Sequence, residues 1–425
     1  MDIPEYKPRI IDNIIEEHLL AFGAVCIEGP KWCGKTWTSR KHSNSQILIG
    51  DAAGNFQNRR LAQMNPSLIL PGETPRLIDE WQEVPGIWDA VRSEVDTRGR
   101  KGQFVLTGSS TPQRKGIMHS GAGRIAPLRM RTMSLFETGD SDGKVSLQGL
   151  FDGVLEDSMT GEVSLSSLAD YIVRGGWPGS LGVPAEQAAL LPHRYLDAIL
   201  DDGANRLDDI KRDSSKMLRL LHSLARNEST TVSNKTLRRD IRDVDGEDIS
   251  DPTITSYLDV FRRLFVIDDQ PPFAPNVRSS VRVKQMPKHH LADPSLSCAL
   301  LGMNAEGLMG NLDTMGFLFE ALCEHDLRIY AETFNGKLFH YQDYQEKEID
   351  AVIEAPNGDW GAFEIKLGAN QIDAAAEGLL ALSKSIAKDE KGRVPKFLCV
   401  LCGLANAAYK RPDGVLVVPI TSLKP

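Results

Sequence analysis

The chain has 425 residues, more than a single hydrophobic core usually serves, so a one-core protein is excluded and two or three domains are expected. Hydrophobic residues make up 41% of the sequence and charged residues 25%, close to the average of soluble globular proteins. The formal charge of −9 favours solubility and indicates no acidic tail, so composition alone names no function.

Apolar runs and cysteines bear on the cellular compartment. No run of 18 apolar residues exists, and the first ten residues lack the pattern of a signal peptide, so we expect a soluble cytoplasmic protein with no membrane partner. The six cysteines are scattered through mostly apolar runs, which predicts reduced thiols. Cys399 and Cys402 form a C-x-x-C, but FLCVLCGL has the pattern of a buried strand, and no second Cys/His pair stands at zinc spacing.

A glycine loop between a predicted strand and a predicted helix is the most specific motif. Residues 24–28, AVCIE, read as a short buried strand, and GPKWCGKT follows. In such a loop backbone N–H groups face a phosphate, the lysine reaches the β and γ phosphates, and the hydroxyl coordinates magnesium. The predicted nucleotide-binding residues are Gly29, Pro30, Lys31, Trp32, Cys33, Gly34, Lys35, Thr36 and Trp37, of which Lys35 also has a predicted catalytic role.

A second motif, RLIDE at 76–80, is an apolar strand that ends in two adjacent carboxylates. We expect Asp79 to hold the magnesium ion together with Thr36, and Glu80 to polarise the attacking water as the catalytic base. For Glu80 alone, a solvated strand end is the alternative.

A third predicted strand, QFVLTGSS at 103–110, ends in small hydroxyl residues. Thr107 or Ser109 would sense the γ phosphate, and an ordinary turn is the alternative. Three strands with helices between them predict an α/β fold with a parallel sheet, whose ligands collect at the carboxyl ends of the strands.

These motifs, together with GAGRIAPLRMRTMSLFE at 121–137, YKPRIIDNII near the start and GGWPGS at 175–180, resemble a widespread prokaryotic family of AAA-type P-loop ATPases. In that family a C-terminal domain of unknown function follows the ATPase. The resemblance implies ATP and Mg²⁺ as cofactors, and a sheet with an extra strand between the two ATP motifs. The chain also lacks the N-K-x-D sequence that would bind guanine, which argues against a GTPase.

The chain departs from the family pattern at Lys31 and Trp32 and follows it at Arg124. The family's loop usually carries Arg and Gln before its second glycine, where this chain has Lys31 and Trp32. Arg124 is similar to an arginine of the family that would stabilise transition-state charge, either within its own chain or in a neighbouring subunit of a homo-oligomer. A salt-bridged loop arginine is the alternative.

The sequence predicts an ATPase core at 1–162 and two segments in the middle of the chain. Residues 163–210 would form a small helical lid, and 211–290 hold three helical stretches and a hairpin that look like a winged helix. The last helix is predicted to begin with Asp251 as N-cap and to bury one face. This face consists of Ile254, Tyr257, Leu258, Phe261 and Leu264.

The winged-helix-like segment also has a local excess of basic residues. It carries 15 Lys and Arg against 11 Asp and Glu, and its wing contains Arg278, Arg282, Lys284 and Lys288. A basic wing favours contact with the DNA backbone, whereas winged helices that only pack against protein are the alternative.

The C-terminal domain is predicted to span 311–425. Within it EIDAVIEA and WGAFEIKLG read as a hairpin, with Asn357 and Gly358 supplying the positive φ values of the turn. Asp350 begins one strand, and Glu364 and Lys366 share a face of the other, which resembles the PD-(D/E)XK nuclease fold. That resemblance implies a second metal site formed by Glu320, Asp350, Glu364 and Lys366, and a later polar residue that matches Gln371.

Two functions remain open from the sequence. The first is a Mg²⁺-dependent ATPase coupled to a C-terminal effector that binds or cleaves DNA. The second is an ATP-driven signalling or assembly switch that acts on proteins and has no nuclease activity.

Overall fold

The computed structural model describes residues 6–111, 118–203, 212–245, 249–276, 279, 285–343, 347–389 and 391–425. They form an α/β protein with a parallel sheet in its N-terminal part and a second, mixed sheet in its C-terminal part. A mainly helical middle part lies between them in sequence. The predicted fold class is therefore confirmed in its main features.

The N-terminal part is a five-stranded sheet in which every neighbouring pair is parallel. Its strands are β1 Ala24–Glu28, β2 Ser45–Leu48, β3 Arg76–Asp79, β4 Phe104–Gly108 and β5 Ile125–Arg129. The helices of this part are α1 Ile11–Ala21, α2 Lys35–Lys41, α3 Ala53–Met64, α4 Gly86–Arg98 and α5 Leu135–Thr138. The order is β2-β3-β4-β1-β5, so β4 separates the strands of the two motifs, as expected.

The apolar character of the central strands follows from their position in the sheet. The residues AVCI of β1 and FVL of β4 are apolar at consecutive positions because helices cover both faces of a parallel sheet. The carboxyl ends of β1, β3 and β4 lie at one edge, and each is followed by one of the predicted motifs.

The middle part contains three helices followed by an antiparallel hairpin. The helices are α10 Ser214–Arg226, α11 Asn234–Asp245 and α12 Asp251–Arg263, and the hairpin strands are β8 Ile267–Gln270 and β9 Lys288–Leu291. All five residues of the predicted apolar face of α12 are buried. The N-cap prediction was wrong by one residue: Ser250, not Asp251, caps α12, because the Ser250 hydroxyl accepts the N–H of Thr253.

Shorter helices connect these parts. They are α6 Leu147–Phe151, α7 Leu165–Arg174, α8 Ala185–Ala188, α9 Leu190–Ala198, α13 Pro294–Leu301 and α14 Ala305–Met309. The end of the predicted lid, residues 204–210, lies outside the described residues, as do Arg278, Arg282 and Lys284 of the predicted wing.

The C-terminal part packs two long helices, α15 Leu312–Glu332 and α16 Ile372–Ile386, with a seven-stranded sheet. Its strands are β10 Lys337–Gln342, β11 Glu348–Glu354, β12 Trp360–Lys366, β13 Phe397–Cys402, β14 Ala407–Lys410, β15 Leu416–Pro419 and β7 Ser158–Met159. The predicted hairpin of β11 and β12 is present. In its turn Gly358 has a φ of +87°, whereas Asn357 does not adopt a positive φ, so one residue alone takes the left-handed conformation.

One hydrophobic core crosses the predicted domain boundaries. Leu168, Ile172 and Val173 of α7 pack in the same buried cluster as Leu318 and Phe319 of α15. Strand β7 pairs with β14, and β6 Val145–Ser146 pairs with β16 Leu423–Lys424. The segment near 145–174 thus shares a core with the C-terminal part, while the predicted boundaries themselves stay predictions.

All six cysteines lie in the described ranges, where they are buried and form no disulfide, and the C-x-x-C lies in β13. In the part of the chain that the structure describes, no helix combines the length and the apolar character needed to span a membrane.

Candidate functional site

The glycine loop lies between the carboxyl end of β1 and the start of α2. Gly34 has a φ of +105°, a conformation that residues with a Cβ rarely adopt. A Cβ on Gly29 would lie 2.1 Å from the carbonyl oxygen of Met130, so the loop can approach the segment that follows β5 only with glycine at this position. Trp32 and Trp37 are partly exposed at the loop surface.

Lys35 is held inside the loop. Its Nζ donates to the carbonyl oxygens of Gly29, at 2.9 Å, and of Pro30, at 2.7 Å, and the residue is 5% exposed. The ammonium group is therefore positioned by the loop that it belongs to, at the start of α2.

Asp79 joins the two motifs. Its Oδ1 accepts a hydrogen bond from the hydroxyl of Thr36 at 2.9 Å and from the hydroxyl of Thr107 at 2.6 Å. Burial raises the pKa of this carboxyl above its usual range, and the two hydroxyl donors oppose that shift only in part. Among the described residues, Asp79 forms no ion pair. A carboxylate and a hydroxyl oxygen side by side, without a cation partner, are ligands that suit Mg²⁺.

Glu80 follows at a strained position, with a φ of +59°. Its backbone N–H donates to the Thr107 hydroxyl at 2.9 Å, and its Oε2 accepts from the Ser109 hydroxyl at 2.9 Å. Gln82 also donates to Oε2 of Glu80. Thr107 and Ser109 therefore orient the two acids in this structure, a role that the expected γ-phosphate contact did not include.

Gln82 was missed by the sequence analysis. The only signal available was its position two residues after Glu80 in the same turn, which does not distinguish it from an ordinary loop residue.

Arg124 lies at the opposite end of the sheet from the loop. Its carbonyl accepts the N–H of Ala24, at the start of β1, whereas the loop follows Glu28 at the end of that strand. Four strand residues separate the two ends by about 13 Å. The guanidinium pairs with Asp96 at 2.8 Å on the surface. An action of Arg124 on a nucleotide bound to its own chain does not fit this position.

Three parts of the chain match known domain families. Residues 21–139, which contain the loop and both acids, match a family described as an AAA domain. The chain carries an AAA domain. Residues 165–307 match a domain of unknown function, DUF8612, and residues 315–423 match another, DUF4143. The predicted resemblance is therefore confirmed for the AAA domain and for the C-terminal domain of unknown function, and the AAA domain supports ATP binding.

Whole proteins with a similar sequence exist in mycobacteria. An uncharacterized protein of Mycobacterium tuberculosis and one of Mycobacterium bovis are each 25% identical over 347 residues, which cover 80% of this chain and 70% of theirs. The Walker-type ATPase of Pyrococcus abyssi, a solved structure, aligns with 71% of this chain and 99% of its own at 14% identity, with a TM-score of 0.43.

The DUF4143 domain contains the second predicted site. Oδ2 of Asp350 accepts the backbone N–H of Ile365 at 2.7 Å and lies 3.4 Å from Nζ of Lys366. That ammonium is 2.8 Å from Oε1 of Glu364. The structure thus brings together Asp350, Glu364 and Lys366, because β11 and β12 are antiparallel neighbours. Burial, with the neighbouring Asp350, raises the pKa of Glu364 to about 7.

Glu320 contacts a lysine that we expected on the exposed basic wing. It pairs with Lys288 of β9 at 2.7 Å, and burial, with Asp350, raises its pKa to about 7. Lys288 is buried, so its predicted place on an exposed basic wing was wrong: the hairpin folds against the DUF4143 domain. Gln371 accepts the N–H of Gly368 at the surface and caps the turn before α16.

Proposed function

We propose that the AAA domain hydrolyses ATP with Mg²⁺. One observation supports this most directly: the Thr107 hydroxyl binds both Oδ1 of Asp79 and the N–H of Glu80, while Asp79 also accepts from Thr36. The candidate metal ligands and the candidate base therefore belong to one hydrogen-bonded network beside the glycine loop.

Each residue has a role in this proposal. The loop N–H groups bind phosphate, and Lys35 exchanges its contacts with the loop carbonyls for the β and γ phosphates. Thr36 and Asp79 hold the Mg²⁺ ion, which neutralises phosphate charge when bound. Glu80, fixed by Ser109 and Gln82, accepts the proton of the attacking water.

Two variants test these roles. Lys35→Ala should abolish ATP binding, because the loop loses the buried ammonium that its carbonyl oxygens hold in place. Glu80→Gln should keep ATP binding but lower turnover by about 10²- to 10⁴-fold, the usual contribution of a general base. Nucleotide affinity and phosphate release measure the two effects separately.

Lys41→Ala, an exposed position at the end of the same helix, serves as the control and should change neither value. Full turnover by Glu80→Gln would remove Glu80 from the base role.

Arg124 is proposed to stabilise transition-state charge on a nucleotide bound to a neighbouring subunit. Its side chain is 45% exposed on the surface, where a second subunit can reach it. Turnover per chain should then fall on dilution of the wild type but not of Arg124→Ala. Equal dilution behaviour of the two proteins would exclude this role.

For the rest of the chain we propose that the nucleotide state controls the DUF8612 and DUF4143 parts as effectors. The buried position of Lys288 in the acidic cluster favours an effector that acts without cleaving DNA, because the candidate nuclease carboxylates already have a cation partner. DNA cleavage remains the second candidate, which Asp350, Glu364 and Lys366 support by their proximity.

One experiment separates these outcomes. Purified protein is incubated with plasmid and linear DNA, with Mg²⁺ and with or without ATP, while cleavage, mobility shift and phosphate release are scored together. We expect phosphate release without cleavage. Nicking that disappears in Lys366→Ala would establish the nuclease instead.

A further inference from the structure

A lysine from the middle of the chain lies inside the acidic cluster of the DUF4143 domain. Lys288 belongs to β9, outside the residues matched to that domain, and is 4% exposed. Its Nζ is 2.7 Å from Oε1 of Glu320 and 3.7 Å from Oε1 of Glu324. Burial alone would lower the pKa of Lys288, but the carboxylates of Glu320, Glu324 and Asp350 raise it above its usual range, which favours the charged ammonium.

A divalent metal ion in this cluster would need the same oxygen atoms. Mg²⁺ and Ca²⁺ bind carboxylate oxygens at about 2.0 to 2.6 Å, so an ammonium beside Oε1 of Glu320 occupies that coordination position. Lys366 lies in the same way between Asp350 and Glu364. Over the described ranges of the chain, no group of three His, Cys, Asp or Glu side chains is arranged to hold a metal ion. The predicted metal ligands therefore do not fit a metal in this arrangement.

The hairpin positions Lys288 through contacts on both of its strands. Gln270, directly opposite Lys288 in the ladder, donates through Nε2 to the carbonyl oxygens of Phe339 at 2.9 Å and Asp350 at 3.2 Å. His290, two residues after Lys288, places Nε2 3.1 Å from Oε2 of Glu324. The hairpin thus contacts both the sheet and helix α15 of the DUF4143 domain.

The hydrogen bonds of His290 also connect the hairpin to the helical middle part of the chain. Nδ1 of His290 is 3.0 Å from Oε1 of Glu228, whose Oε2 accepts the hydroxyl of Ser297 at 2.6 Å. Lys288 is therefore held by a buried polar network and does not enter the cluster as a free surface side chain.

We propose that the ammonium of Lys288 occupies the place of a divalent metal ion in the acidic cluster. It binds the β8–β9 hairpin to the DUF4143 domain and prevents metal binding there. Lys366 also lies beside carboxylates but belongs to the domain's own strand, whereas Lys288 comes from another part of the chain. The acidic cluster is therefore the binding site of the β8–β9 hairpin.

Manganese binding to the nucleotide-free full-length protein tests the proposal. The variants are Lys288→Met, Lys288→Arg and the double variant Lys288→Met with Glu320→Gln, and the probe is MnCl₂ alone, followed by calorimetry and thermal unfolding. We expect Lys288→Met to unfold at a lower temperature, to gain one Mn²⁺ equivalent over the parent chain and to recover stability with Mn²⁺. Lys288→Arg should gain none, and the double variant should lose the gained site.

The parent chain provides a test that does not depend on the folding of Lys288→Met. Its Mn²⁺ binding should be the same as that of Glu320→Gln, because the metal that the parent binds lies elsewhere. A Mn²⁺ equivalent that the parent binds and Glu320→Gln loses would overturn the proposal. So would a folded Lys288→Met variant that gains no Mn²⁺.

Discussion

At the scale of single residues, Thr107 is the side chain that organises the ATP site. It is fully buried, and one hydroxyl serves both acids, as donor to Asp79 and as acceptor from the N–H of Glu80. The register places Thr107 beside Ile27, one residue before β1 ends. Its sequence context, a hydroxyl near the end of an apolar strand, predicted a polar role but not its partners.

We expect Thr107→Val to weaken both folding and turnover. Valine has the same shape but leaves the Glu80 N–H and one contact of Asp79 unsatisfied, which costs about 1 to 3 kcal/mol of unfolding free energy. Turnover should fall about tenfold or more, since the backbone N–H of Glu80 loses its acceptor and the position of the base shifts. Urea unfolding and phosphate release measure these effects.

Thr107→Ser is the matched variant, because it keeps the hydroxyl and should stay close to wild type in both assays. Equal turnover of the valine and serine variants would show that the hydroxyl does not position the acids.

At the scale of elements, the β8–β9 hairpin connects the AAA domain to the DUF4143 domain through ion pairs. Asp268 of β8 pairs with Arg131, which follows β5, and with Arg328 of α15 at 2.7 Å. Arg131 also pairs with Glu332 at 2.6 Å. While β9 carries Lys288 into the acidic cluster, β8 carries a carboxylate to the AAA domain, so one short hairpin contacts both neighbours.

Asp268→Asn should destabilise the protein at neutral pH. Burial alone would raise the pKa of Asp268, but Arg131 and Arg328 hold it well below its usual range. Stability from such a group is present above the unfolded pKa, about 3.9, and is lost as the pH falls through the folded value. We expect a loss of about 3 kcal/mol at pH 7, because two arginines lose their shared partner.

Urea denaturation at pH 7 and at successively lower pH checks this prediction, since the difference between wild type and variant should shrink below about pH 4. Asp259→Asn, at an exposed position of α12, should behave as wild type throughout. A difference that does not change with pH would indicate lost packing rather than a lost charge.

At the scale of the whole molecule, the chain is not a simple series of independent domains. Helix α7 buries Leu168, Ile172 and Val173 in the core of the C-terminal part, and β7 completes its sheet. Burial of each large apolar side chain contributes about 1.5 to 3 kcal/mol, so α7 supplies a large share of the stability of that part.

A fragment of residues 311–425 should therefore not fold by itself. It lacks α7, β6 and β7, and it exposes the apolar surface that they cover. Near-ultraviolet circular dichroism and ANS binding distinguish a packed fragment from a collapsed one. A fragment with a cooperative thermal transition would show that the C-terminal core is independent of residues 145–174.

The sequence by itself determined the glycine loop, the two acids at the end of β3 and the buried face of α12, while the AAA domain and the strand between the two motifs were implied by the family resemblance. These features depend on local patterns: loop glycines, acids at strand ends and apolar residues at helical spacing. The proximity of Asp350, Glu364 and Lys366 also followed from a hairpin and its alternation. In each case the interacting residues are near in sequence, or adjacent motifs imply their contact.

Only the tertiary structure decided where Lys288, Arg124 and α7 lie. Lys288 and Glu320 are separated by 32 positions, and nothing in a local pattern distinguishes a lysine on a solvated wing from one that is buried against glutamate. The direction of β5 determines the position of Arg124. The position of α7 depends on a core that forms between segments distant in sequence. Such positions depend on which surfaces can be buried together, and that balance of packing and desolvation is a property of the folded chain.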